Sequence, residues 1–123
     1  MIEEHVIAIT TTGGAGVSTG NGTPPTTMNG LLIGMYITAS VAVAATADWV
    51  FADAVTGVTL LTLTDSTATG FIAPGLPVVG VTGTAITNSH RAMPIVNAIK
   101  CTIAQANDGV YTIRYFIDKS RRA

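Results

Sequence analysis

The stretch AMPIVNAIKCTIAQANDGVYTIRYFIDK, from Ala92 to Lys119, decides the fold. Its first half sets Ile95, Asn97, Ile99, Cys101 and Ile103 at every second position. Its second half does the same with Tyr111, Ile113, Tyr115 and Ile117. A period of two gathers such residues on one face of an extended chain, whereas a helix would scatter them around its axis. Thr112, Arg114 and Phe116 fall on the opposite face of the second half. Between the halves stands Asn107-Asp108-Gly109, residue types that tolerate the positive φ of a tight turn. The stretch therefore predicts strands over Ala92–Ala104 and Val110–Lys119, joined as a hairpin, with Arg114 either reaching a carboxylate or, the favoured reading, pointing to solvent.

Working outward, the same reasoning predicts strands at Glu4–Thr12, Leu31–Val43 and Ala47–Ala54, and again at Thr56–Thr64. Short or glycine-weakened strand signals follow at Gly70–Ala73 and Val78–Thr84, with turns at Asp65-Ser66 and Pro74-Gly75. Asn88-Ser89-His90-Arg91 reads as a polar turn. Trp49, the only tryptophan, alternates with Phe51 and is expected in the core. No stretch shows a capped helical period, Ala39–Ala47 coming nearest. Leu31–Ala47 carries no charge, but Gly34, Thr38, Ser40 and Thr46 interrupt it, and buried strands suit it better than a membrane helix. The expected architecture is all-β, a single-domain antiparallel β-sandwich or barrel of jelly-roll-like kind over residues 1–123.

Composition bounds the setting. Only 11% of the 123 residues are charged while 48% are hydrophobic, and the mean hydropathy is +0.51. A typical soluble domain carries about 25% charged residues. Charge is scarce where protein lies against protein, because desolvating it is costly. The chain reads as one whose surface is covered by neighbours in its working state, with a homo-oligomer expected. A net charge of −1 gives no general attraction to nucleic acid or to an anionic membrane. The acidic start Met1-Ile2-Glu3-Glu4-His5 lacks the basic and apolar pattern of an export signal. The sequon Asn21-Gly22-Thr23 is accordingly taken as chance.

Gly13–Thr27 (GGAGVSTGNGTPPTT) has no apolar periodicity and reads as a flexible Gly/Thr/Pro loop or arm. Residues 119–123 form a short basic tail. The residues expected to face a partner are Gly13, Gly14, Val17, Thr19, Asn21, Pro24 and Pro25 of the arm, with Arg121 and Arg122 of the tail. On this reading, deleting Ala15–Thr23 leaves the fold intact and weakens attachment.

No pattern points to catalysis, a cofactor or a metal. The run Gly14–Gly20 has GxGxxxG spacing, lacks a lysine and meets Pro24-Pro25 where a phosphate-binding helix should follow. His5 and His90 have no partner at metal-ligand spacing. Asp48, Asp53, Asp65, Asp108 and Asp118 sit at predicted turns or strand ends, where aspartate bonds nearby backbone amides. The single Cys101 permits no intrachain disulfide and reads as a small buried hydrophobe. A non-enzymatic protein is expected.

The order of the second half resembles small accessory virion proteins of tailed bacteriophages, most closely head decoration, or cement, proteins. The resemblance rests on Val58–Thr64, the Pro74–Pro77 stretch, Val96–Ala104, Asn107-Asp108-Gly109 and Tyr111–Asp118, together with the low charge. It implies a mostly β, often trimeric protein that sits where major capsid proteins meet, in a virion assembled in the host cytoplasm, with no cofactor. A tail, neck or fibre-base component is the neighbouring expectation. A carbohydrate-binding β-sandwich, with Trp49 and Phe51 as a platform, is the alternative of another class.

Overall fold

The computed structural model describes residues 2–67, 69–72, 75–79 and 85–119, and of 75–79 and 85–93 the backbone alone. Arg121 and Arg122 of the expected tail lie outside the described residues. The elements are β1 (Ile2–Thr11), β2 (Ser18–Gly22), β3 (Gly30–Ala39), β4 (Asp48–Asp53), β5 (Thr59–Leu63), β6 (Gly70–Ile72), β7 (Gly75–Val79), β8 (Ala85–Ile95), β9 (Ile99–Ala106) and β10 (Gly109–Asp118). They build two antiparallel sheets. The larger has the order β1-β10-β3-β8-β7, with β6 also paired to β3; the smaller is β2-β9-β4-β5. The sheets pack face to face, so the protein is an antiparallel β-sandwich. Among the described residues no helix is long and apolar enough to cross a membrane.

Alternation builds the core. Tyr111, Ile113, Tyr115 and Ile117 of β10 point inward from the larger sheet with Leu32, Met35 and Ile37 of β3 and Ile9 of β1. Trp49 and Phe51 of β4, with Ile99, Cys101 and Ile103 of β9, point inward from the smaller. The aromatic rings lock the two layers edge to face. Trp49 meets Tyr111 at 5.5 Å and 85°, and Phe51 meets Tyr115 at 6.4 Å and 88°. Each such pair adds about 1 kcal/mol to what area burial supplies. Trp49 Nε1 donates to the Ser66 carbonyl at 3.2 Å, and the Tyr111 hydroxyl to the Asn107 carbonyl at 2.8 Å. The Tyr115 hydroxyl is buried without a partner, and burial pushes its pKa up. Burial likewise pushes the Cys101 thiol up to about 12, so it stays protonated and unreactive at neutral pH.

Four sequence expectations are corrected. The segments flanking Asn107-Asp108-Gly109 are strands, yet they do not form a hairpin. β9 pairs with β2 and β4 in one sheet, and β10 with β1 and β3 in the other. The connection is an arch between layers. The first predicted strand is also interrupted at Val96–Ala98, where the chain changes sheet between β8 and β9. Asn88–Arg91 is no turn but lies within β8, where His90 pairs with Pro77 and Arg91 with Leu76. Gly13–Thr27 is not structureless throughout, since Ser18–Gly22 pairs with β9 as β2. Glycines at positions 20 and 22 hide that strand from propensity. They are there because β2 crosses tightly over β1, and a Cβ on Gly20 would stand 2.5 Å from the Thr10 carbonyl oxygen.

The core makes a paired prediction. Ile113→Asp buries an unpaired carboxylate between the sheets and should cost more than about 4 kcal/mol, enough to unfold the domain. Tyr115→Phe removes an unpartnered hydroxyl and should raise stability by about 1 kcal/mol in urea melts. A clear loss in Tyr115→Phe would reveal a partner for that hydroxyl.

Candidate functional site

Two surfaces stand out: the polar corner around the β9–β10 arch, and the outer face of the larger sheet. The corner is assembled from the arch residues upward. Gln105 takes a φ of +52, which turns the chain out of β9. Thr11 Oγ1, at the end of β1, donates to the Asn107 carbonyl at 2.8 Å, and the Gly109 amide donates back to Thr11 Oγ1 at 3.1 Å. Asn107 Nδ2 reaches the Ala42 carbonyl at 2.9 Å. The side-chain oxygens of the arch then clamp the β1–β2 connection. Gly14 N donates to Asp108 Oδ1 and Gly16 N to Asn107 Oδ1, both at 3.0 Å, and the Ser18 hydroxyl also bonds Asp108. Backbone bonds between Thr12 and Thr19 close the corner. The amides that a phosphate loop would present are thus spent on Asn107 and Asp108.

The other acidic side chains have similar duties. Asp53 accepts from the Thr56 and Val55 amides and from Asn97, and these bonds, Thr56 foremost, hold its carboxyl below the ordinary value against opposing desolvation. Asp48 accepts from the Asp65 amide and from Gln105. His5 is buried between Glu3 and the Thr26 hydroxyl. Among the described residues no group of three His, Cys, Asp or Glu side chains is placed to hold a metal ion.

The outer face of the larger sheet is apolar and aromatic. Register aligns Val6, Arg114, Tyr36 and Phe71 in one row across β1, β10, β3 and β6. The next row brings Glu4, Phe116 and Gly34 together. Phe71 lies over Gly34, where a Cβ would stand 2.3 Å from the ring, and its ring centre is 6.3 Å from that of Phe116. Phe71 is nevertheless 64% exposed, and Tyr36 and Val6 are each 42% exposed. The charges on this face cancel. Arg114 Nη1 pairs with Glu4 Oε1 at 2.9 Å, both side chains half in solvent, so the arginine meets both expectations, a carboxylate partner and contact with solvent. A pair so exposed adds little stability. Its effect is to leave the patch without net charge.

Beside Tyr36 the chain opens a shallow cleft of about 470 Å³. Gly70, at a φ of +87, lets β6 diverge from β3 at this point. Thr38, Thr67, Thr69, Val41 and Val43 line the cleft with Tyr36, and no charged side chain does.

The residues expected to face a partner are not gathered into one site. Gly13, Val17, Thr19, Asn21 and Pro25 are exposed along the corner and β2, with Val17 the most prominent apolar one at 63%. Gly14 is held by Asp108, and Pro24 is buried. Deleting Ala15–Thr23 would remove β2 entire, so the fold is not expected to survive that change. The Trp49 and Phe51 platform is excluded by their burial. The aromatic patch was missed in the sequence because Phe71 sits in a three-residue strand too short to show a period. No protein-family model, no curated protein and no solved structure matches the chain.

The corner has a testable acid dependence. The Ser18 hydroxyl first, and then the Gly14 amide, hold the Asp108 carboxyl below its ordinary value of 3.8 against opposing desolvation. A carboxylate with a lower pKa in the folded than in the unfolded state stabilises the fold above the unfolded value and ceases to as pH falls through the folded one. The clamp should therefore hold from neutral pH down to about 3.8 and release below it. In NMR titrations the Gly14 amide proton should shift with a midpoint under that value. In Asp108→Asn the transition should vanish.

Proposed function

We propose that this chain is a non-enzymatic structural protein of a tailed-bacteriophage virion, serving as a decoration protein that braces the capsid lattice. The observation that carries the reading is the aromatic face of Val6, Tyr36, Phe71 and Phe116, where Arg114 and Glu4 neutralise each other, on a sandwich whose chain is only 11% charged. A soluble monomer rarely shows so concentrated an apolar patch without a partner for it. Aromatic residues on a rigid sheet lose little entropy on docking and supply most of the energy of such contacts. The acidic residues support the same view, since Asp48, Asp53 and Asp108 are engaged with backbone amides rather than poised for chemistry. The partner in this reading is the major capsid protein or another virion protein. A tail, neck or fibre-base position would use the same face.

The test is attachment. Heads from the virus that encodes the chain, stripped of accessory proteins, are mixed with purified protein and sedimented. Wild type should co-sediment and raise the temperature at which the heads release DNA. Phe71→Asp, on an exposed side chain, should fold normally and lose attachment by at least about tenfold. Wild-type protein that stays in the supernatant of heads and of tails would overturn the reading. The cleft beside Tyr36, with its hydroxyls and lack of charge, favours a neutral-glycan module as the second reading. Specific glycan-array binding that is lost in Tyr36→Ala would establish it instead.

A further inference from the structure

Every sheet edge carries unpaired backbone amides and carbonyls, and folded proteins cover or blunt them. In this sandwich four of the five described edge strands are managed. β1 is crossed by β2, whose Gly20 and Gly22 lie against Thr10 and Ile7. β2 is bonded to β1 through Thr12 and Thr19. β6 is three residues long. β7 contains Pro77, which has no amide hydrogen to offer. β5 has none of these devices. Among the described residues it pairs only with β4. Its sequence Thr59-Leu60-Leu61-Thr62-Leu63 holds neither charge nor proline, and no charged residue occurs from Ala54 to Thr64. Val55 and Val58, just ahead of it, are 76% and 60% exposed.

We infer that β5 is a dimerisation edge, and that its occupant is β5 of a second copy, paired antiparallel about a two-fold axis so that the two small sheets become one continuous sheet. Charge argues for the second copy. Self-pairing sets each strand against its own sequence, so any charge near the axis would meet its like. With the axis at Leu61, Leu60 faces Thr62 and Thr59 faces Leu63. Asp65, the nearest carboxylate downstream, then faces Gly57 rather than another acid, and Asp53 lies beyond the pairing. Gly57 takes a φ of +76 in the turn that leads into the strand and presents no side chain to the approaching aspartate. An isologous contact of this kind closes at two copies. It therefore departs from the three-fold assembly that the phage resemblance implies, and it is independent of the virion reading.

Light scattering after size-exclusion chromatography tests it, from low to high micromolar concentration. Wild type should run at twice 12.6 kDa. Thr62→Lys changes an exposed side chain at the centre of the edge, and it should weaken the dimer at least about tenfold while leaving the circular dichroism of the monomer unchanged. A nitroxide on Thr62→Cys should show strong dipolar coupling within the wild-type-like dimer. A monomer at all concentrations would overturn the inference, as would a trimer. So would a dimer indifferent to Thr62→Lys, or one whose Thr62 labels are uncoupled, because the contact would then lie elsewhere.

Discussion

The arch at Asn107-Asp108-Gly109 is the constraint on which the rest of the sandwich depends. It takes the chain from the centre of one sheet directly to the centre of the other. β9 thus lies between β2 and β4, and β10 between β1 and β3. That crossing sets Tyr111 beneath Trp49 and Tyr115 beneath Phe51, so the aromatic locks of the core follow from the connection. It leaves Asn107 and Asp108 without the cross-strand bonds of a hairpin. Asn107 and Asp108 answer for this by bonding β1, the β1–β2 connection and Ala42 in place of a hairpin partner. The corner is therefore polar and self-satisfied, and it closes the sandwich along one side.

With the inner faces used for the core and the corner used for closure, what remains is outer face and edge. The outer face of the larger sheet holds its aromatic side chains in fixed register, with Gly34 kept free of a side chain so that Phe71 can lie flat across β3. Within the aromatic patch the charges of Arg114 and Glu4 neutralise each other. The far edge of the smaller sheet is bare of charge. Both are surfaces that gain by being covered, since apolar area and unpaired backbone alike are better placed against protein than against water. Several groups with chemical potential are engaged or buried among the described residues. Cys101 is held protonated by burial, and Asp48, Asp53 and Asp108 are tied to amides. The proposed structural role on a larger assembly would draw on these surfaces.

Much of this was legible in the amino-acid order. The period of two in Tyr111–Ile117 and Ile99–Ile103 named both the strands and the side chains that face inward, because alternation is a property of each strand alone. The burial of Trp49, Phe51 and Cys101 and the amide-binding role of the aspartates followed from residue type and position. So did the all-β class, since no stretch carries a helical period. Ser18–Gly22 was hidden because its glycines answer to a neighbour's carbonyl and not to strand propensity. Asn88–Arg91 was hidden because strand pairing is made by backbone groups, which polar residues carry as well as apolar ones.

What the sequence by itself determined is the all-β class and, for its regularly alternating strands, which face is buried. Only the tertiary structure decided which strands pair. A hairpin and an arch present the same alternation and the same Asn-Asp-Gly between their arms, and both bury the same side chains. They differ in whether the two backbones bond each other or turn away to bond strands far along the chain. That choice rests on hydrogen bonds that the arch makes with Thr11, Gly14, Gly16 and the Ala42 carbonyl, residues some 65 to 98 positions distant. Local pattern records the chemistry of each residue and its near neighbours, and pairing across such separations is settled only when the whole chain closes on itself.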